Sequence, residues 1–168
     1  TLAEGEFSTN LPVGCVGDPY SGNINFAVPL DTVVDVPPFG PLLVTVDSMI
    51  VTDVLGMPAG LVADCNIPSC TYINFPPAIE YGCITVSGTP TAPTGAVDSI
   101  FVAVDLHVLV PLIGATVISD TIGLPFTING DPNAFFFFTA TGLDVDFSNI
   151  STDADSSMWT FGDGDSAF

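Results

Sequence analysis

The feature that most constrains this chain is its punctuation. Sixteen glycines and fifteen prolines are spread evenly along 168 residues. Between them lie short runs of Val, Ile, Thr and Phe, such as Asn23–Val28, Leu42–Val54, Cys83–Ser87, Val97–Val110, Ala134–Thr141, Val145–Asn149 and Met158–Phe161. Turn residues at regular spacing between β-prone runs predict a sandwich or barrel, and no run sustains a helical period. In Val97–Val110, Phe101, Ala103, Asp105 and His107 alternate against Val102, Val104, Leu106 and Val108, the period of a strand with one face on a core. In Leu42–Val54, Val44, Val46 and Ile50 are expected on one face. The four consecutive phenylalanines Phe135 to Phe138 make both faces of their strand apolar, so both are expected to be covered. Left exposed, such a strand is an assembly segment. The expected fold class is all-β.

Charge narrows the function. There are nineteen acidic residues, no Lys and no Arg, for a formal net charge of −19. Phosphate backbones are repelled, which argues against nucleic-acid binding. An anionic membrane surface is repelled too, and Ile100–Ile118, broken by Asp105, His107 and Pro111, does not read as a membrane-spanning helix, so no membrane insertion is expected. Divalent cations or a basic partner are attracted. A plainer reading stands beside this one: a surface low in charge and rich in Ser, Thr and Asn keeps a long-lived extracellular protein soluble.

The four cysteines, Cys15, Cys65, Cys70 and Cys83, are even in number and lack paired metal-ligand spacing. They are expected to form disulfides in an oxidising compartment, with three pairings open. Acids crowd the C-terminal region. Asp153, Asp155, Asp163 and Asp165 could offer loop oxygens to calcium, although none follows the EF-hand pattern; the plainer reading is a turn aspartate and solvated loop acids. No other cofactor is implied. Catalysis has little to stand on: a Ser-His-Asp site would depend on His107, the only histidine, and there is no G-x-S-x-G elbow and no phosphate loop.

Two stretches resemble known families. Trp159-Thr160-Phe161-Gly162-Asp163-Gly164, preceded by Val145, Phe147, Asn149 and Ser151 in V-x-F-x-N-x-S, is similar to PKD domains, extracellular immunoglobulin-like sandwiches. Gly56-Met57-Pro58-Ala59-Gly60-Leu61, followed by Cys83-Ile84-Thr85-Val86-Ser87-Gly88-Thr89-Pro90-Thr91, resembles the putative-Ig repeats of bacterial surface proteins. The cysteine loop looks like a variant found in bacteria that use type IX secretion. The resemblances imply an Ig-like sandwich with a disulfide loop over residues 1–128 and the N-terminal part of a PKD-like sandwich over 129–168, a piece of something longer. Proteins of such bacteria are O-glycosylated at Asp-(Ser/Thr)-aliphatic tripeptides. This makes Thr32, Ser48, Ser99, Thr121 and Ser166 candidates, against the reading that Asp-Ser and Asp-Thr are common turn pairs. Asn149-Ile150-Ser151 also fits a sequon. The function expected is a non-enzymatic structural module of a cell-surface fibre, stalk or adhesin, extracellular or on the cell surface. Its expected partners are homo-oligomer or filament neighbours, joined by strand addition. The alternative is an accessory module binding polysaccharide through exposed aromatics, with Trp159, Tyr20, Tyr72 and Tyr81 as candidates.

Overall fold

A computed structural model describes residues 2–8, 11–94, 99–111, 113–131, 133–152, 154 and 156–167. Val97, Asp98, Asp153 and Asp155, which carry parts of the expected strand, tripeptide and calcium site, lie outside them. The described residues are all-β. Fourteen strands follow in order: β1 (Gly14–Cys15), β2 (Tyr20–Ala27), β3 (Asp31–Val36), β4 (Gly40–Leu55), β5 (Leu61–Cys65), β6 (Thr71–Ile73), β7 (Tyr81–Gly88), β8 (Ser99–Val110), β9 (Gly114–Pro125), β10 (Ile128–Asn129), β11 (Phe136–Thr141), β12 (Asp144–Asn149), β13 (Trp159–Thr160) and β14 (Ser166–Ala167).

Two larger sheets form the body. One runs β2-β7-β5; the other runs β3-β4-β8-β9, with β6 also on β4. The two share a single core. Ile24, Phe26, Ile84 and Val86 from the first sheet and Val46, Met49, Tyr72, Ile100 and Val102 from the second belong to one buried cluster. Phe26 meets Tyr72 edge to face, with ring centroids 4.9 Å apart. Burial of such aliphatic and aromatic side chains stabilises the fold by about 1.5–3 kcal/mol each.

The alternation expected in β8 is present: Val102, Val104, Leu106 and Val108 are buried, and Phe101, Ala103, Asp105 and His107 face away. In β4 the pattern breaks. Val44 and Val46 are buried, but Ile50 is only half-buried, and Met49 and Val51 take the inward positions. The pairing with β8 slips between Val46 and Ser48, so one extra residue switches which parity faces the core.

The two motifs that carried the putative-Ig resemblance meet in space. Thr89 N–H donates to Gly60 O at 3.1 Å and Thr91 N–H to Ala59 O at 2.8 Å. Gly60 and Gly88 hold positive φ where the two turns approach, a region that disfavours a Cβ.

Residues beyond β10 form two hairpins, β11-β12 and β13-β14. Here the expectation for Phe135–Phe138 is corrected. All four are 52–61% exposed. The reason is the sheet itself: β11 pairs only with β12, and a two-stranded ribbon covers neither of its faces.

Candidate functional site

Cross-strand register sorts the β11-β12 ribbon into two unlike faces. Phe136 lies opposite Asn149, Phe138 opposite Phe147, and Ala140 opposite Val145, so these six share one face. Phe137, Thr139, Thr141, Asp144, Asp146 and Ser148 share the other. The aromatic face is joined by β13 and the turn after it. Phe147 is the hub: its ring centroid lies 6.2 Å from Phe136, 6.2 Å from Phe138, 5.6 Å from Trp159 and 5.7 Å from Phe161. Trp159 meets Phe136 edge to face at 5.3 Å. Phe136, Phe147, Trp159 and Phe161 line a groove of about 640 Å³ together with Asn149, Ser151 and Ser157. Asn149 donates through Nδ2 to Ser157 Oγ at 2.8 Å and accepts Ser151 N–H at 2.9 Å, which ties these three together.

Gly162-Asp163-Gly164 forms a turn between β13 and β14. Both glycines have positive φ, and Asp163 Oδ1 accepts Asp165 N–H at 3.0 Å. Asp163 and Asp165 are exposed. Among the described residues no group of three or more His, Cys, Asp or Glu stands together as a metal site.

A second surface lies on the outer face of the β3-β4-β8-β9 sheet. Val33 opposes Leu43, and Ile73, Ser48, His107 and Val117 form one transverse row. Val33, Leu43, Ile73, Leu109 and Val117 are 50–69% exposed there. His107 therefore sits between Ser48 and Val117 on the outer sheet face. Asp105, two residues along, accepts Ser119 Oγ at 2.6 Å.

The other expected residues are scattered. Cys65 and Cys70 are bridged, with Cα atoms 5.4 Å apart, while Cys15 and Cys83 are free thiols, so one bridge stands where four bridged cysteines were expected. Strand geometry explains the difference for Cys83: on β7 it points to the opposite face from Ile84, the residue that Cys65 opposes. Cys15 stands on β1 against Asn129. Of the glycosylation candidates, Thr121 and Ser166 are exposed, and Thr32, Ser48 and Ser99 are half-buried; all five sit in strands rather than turns.

The aromatic candidates for a binding surface divide. Tyr81 is 46% exposed and Trp159 half-buried, whereas Tyr20 and Tyr72 belong to the core. Burial raises the phenol pKa of both core tyrosines; for Tyr72, the neighbouring Cys83 and the Glu80 carboxylate add to it. Sequence reasoning missed the outer face of the larger sheet. Its signal was present in Asp31–Val36 and Gly114–Pro125, where apolar residues occupy both parities.

No protein-family model, no curated protein and no solved structure matches the chain. No helix of the described residues is long and apolar enough to cross a membrane.

Proposed function

We propose that the chain is a non-enzymatic structural module of an extracellular cell-surface fibre, stalk or adhesin, in which an Ig-like sandwich is followed by the opening strands of a PKD-like one. The observation that carries this reading is the outer face of the larger sheet, where Val33, Leu43, Ile73, Leu109 and Val117 stay half exposed or more while the inner face already has its core. An apolar stripe on both faces of one sheet marks a surface that another subunit covers. Charge sets the manner of association. Two copies of a chain with nineteen acids and no Lys or Arg repel one another, and contact between them rests on apolar burial. The open edges of the β11-β12 ribbon offer a second means of joining, by an added strand. The Cys65–Cys70 bridge fits an oxidising compartment.

Light scattering after size exclusion, with negative-stain microscopy of the same fractions, tests the reading. Multimers or filaments that grow with added salt are expected. Leu43→Asp and Val33→Asp should return the protein to monomers without lowering its melting temperature, since both positions are exposed. Monomers at every concentration and salt level overturn it.

A further inference from the structure

Two turns of the larger sheet are built alike. Val36-Pro37-Pro38-Phe39-Gly40 joins β3 to β4, and Val110-Pro111-Leu112-Ile113-Gly114 joins β8 to β9. Both read valine, proline, a variable residue, a large apolar residue and glycine; Leu112 lies outside the described residues. In each turn the valine belongs to the core cluster, and its carbonyl accepts the N–H three residues on. Phe39 N–H donates to Val36 O at 2.7 Å, and Ile113 N–H to Val110 O at 3.2 Å. Gly40 and Gly114 follow at φ 78° and 99°, where a Cβ would meet nothing within 4 Å. The two tips also project together. Val46 on β4 lies opposite Val108 on antiparallel β8, with Gly40 six residues before the one and Gly114 six after the other. Both tips therefore leave the same end of the sheet, about 10 Å apart at the spacing of neighbouring strands.

Phe39 is 64% and Ile113 60% exposed, and exposed Leu43 and Leu109 continue the apolar surface along the strands behind them. Neither five-residue turn contains an ionisable side chain, in a chain of nineteen acids. The nearest acid on the flanking strands is Asp35, opposite Pro41 behind the first turn. Pro37, Pro38 and Pro111 carry no N–H, and the N–H groups of Phe39 and Ile113 are bonded within their turns. Among the described residues of the tips no backbone donor is left to lose its water on entering an apolar layer. Large apolar side chains on such tips partition to the boundary of headgroups and acyl chains. Charge selects the layer. A second copy or an anionic surface brings negative charge of its own, whereas a zwitterionic lipid surface brings none in net.

We propose that Phe39 and Ile113, on their matching turns, dip into the surface of a zwitterionic lipid bilayer and hold the module against it. The anionic surface stays excluded, and nothing crosses the layer. The proposal does not depend on self-association through the outer face of the larger sheet, and it gives the module a surface to adhere to.

Co-sedimentation of the full chain with phosphatidylcholine vesicles tests it. Saturable binding is expected. Vesicles with about a third phosphatidylserine should bind about tenfold more weakly at low salt, and added salt should close the gap. Phe39→Ser and Ile113→Ser should each weaken binding about tenfold, at an unchanged melting temperature. Ile73→Asp, on the outer sheet face in the row of Ser48 and His107, should leave vesicle binding as it is while it lowers self-association. Phe39→Trp should be quenched by brominated phosphatidylcholine beyond the level set by Trp159 in the unaltered chain, which a turn that stays in water would not be. No binding to any vesicle overturns the proposal, as does preference for the anionic ones or equal binding by the serine variants. Serine variants that break multimers into monomers while vesicle binding persists assign the tips to a second copy instead, which also overturns it.

Discussion

A carboxylate in this protein must find its partners without a lysine or an arginine, and it finds them in backbone N–H groups and hydroxyls. Glu4 Oε1 accepts the N–H groups of Leu30 and Asp31, at 2.5 and 3.0 Å, pinning the N-terminal segment to the start of β3. Asp105 takes Ser119 Oγ, and Asp163 takes Asp165 N–H. Hydrogen bonds to ionised acceptors contribute about 1.5–3 kcal/mol each. In the core the same economy of groups appears at Asn74. Its Nδ2 donates to Pro29 O at 2.8 Å and to Val46 O at 2.9 Å, while its buried Oδ1 accepts no hydrogen bond among the described residues. Packing is tight at Gly82, where a Cβ would collide with the Phe26 ring and stand 2.7 Å from Tyr72 Cε1. Gly82→Ala is therefore expected to destabilise the fold by about 1–3 kcal/mol through overpacking, read as a lower urea midpoint with unchanged slope. A midpoint equal to that of the unaltered protein would show that the Phe26 ring gives way freely at this point.

Among the elements, β9 stands out as a twelve-residue edge strand paired with β8 without a slip in register. Long, regular edges invite pairing with other chains, and proteins restrain them with charge. Asp120 does this here. It lies opposite buried Val104, hence on the inward face, yet remains exposed because the smaller sheet leaves that part of β9 uncovered. Asp120→Val should make the β9 edge adhesive, with light scattering rising on standing at neutral pH; an unchanged, clear solution would mean that the edge is guarded by something else. How legible these elements were in the sequence depends on where their information resides. The strand β8 was readable because its alternation is local and unbroken, and so was the Gly162–Gly164 turn, which glycine dictates by itself. The slip that turns Ile50 away from the core was not, since a bulge is decided by the partner strand. The same holds for Phe135–Phe138, whose composition demands cover but says nothing about whether a neighbouring strand supplies it. The aromatic groove was half legible: Trp159 and Phe161 lie two residues apart, the strand spacing for one face, but the meeting with Phe136 and Phe147 depends on how two hairpins approach.

For the whole molecule, self-repulsion is the term that nothing internal cancels. Nineteen negative charges without a counter-charge strain the compact state, and dissolved ions must screen them. The melting temperature is expected to rise by a few degrees between low and moderate salt, the equivalent of about 1 kcal/mol in a domain of this size. A melting temperature independent of salt would place the acids too far apart to interact. Pulling on the chain gives the strand arrangement a meaning of its own. The strands β1 and β10 run parallel, with Gly14 beside Ile128 and Cys15 beside Asn129. Tension entering ahead of β1 and leaving after β10 slides these strands past each other in shear, loading their hydrogen bonds together. The β11-β12 hairpin receives the same tension at adjacent ends and opens like a zip, one pair at a time. A stalk built this way would yield first at its aromatic hairpin, lengthening under load while the sandwich behind it stays shut.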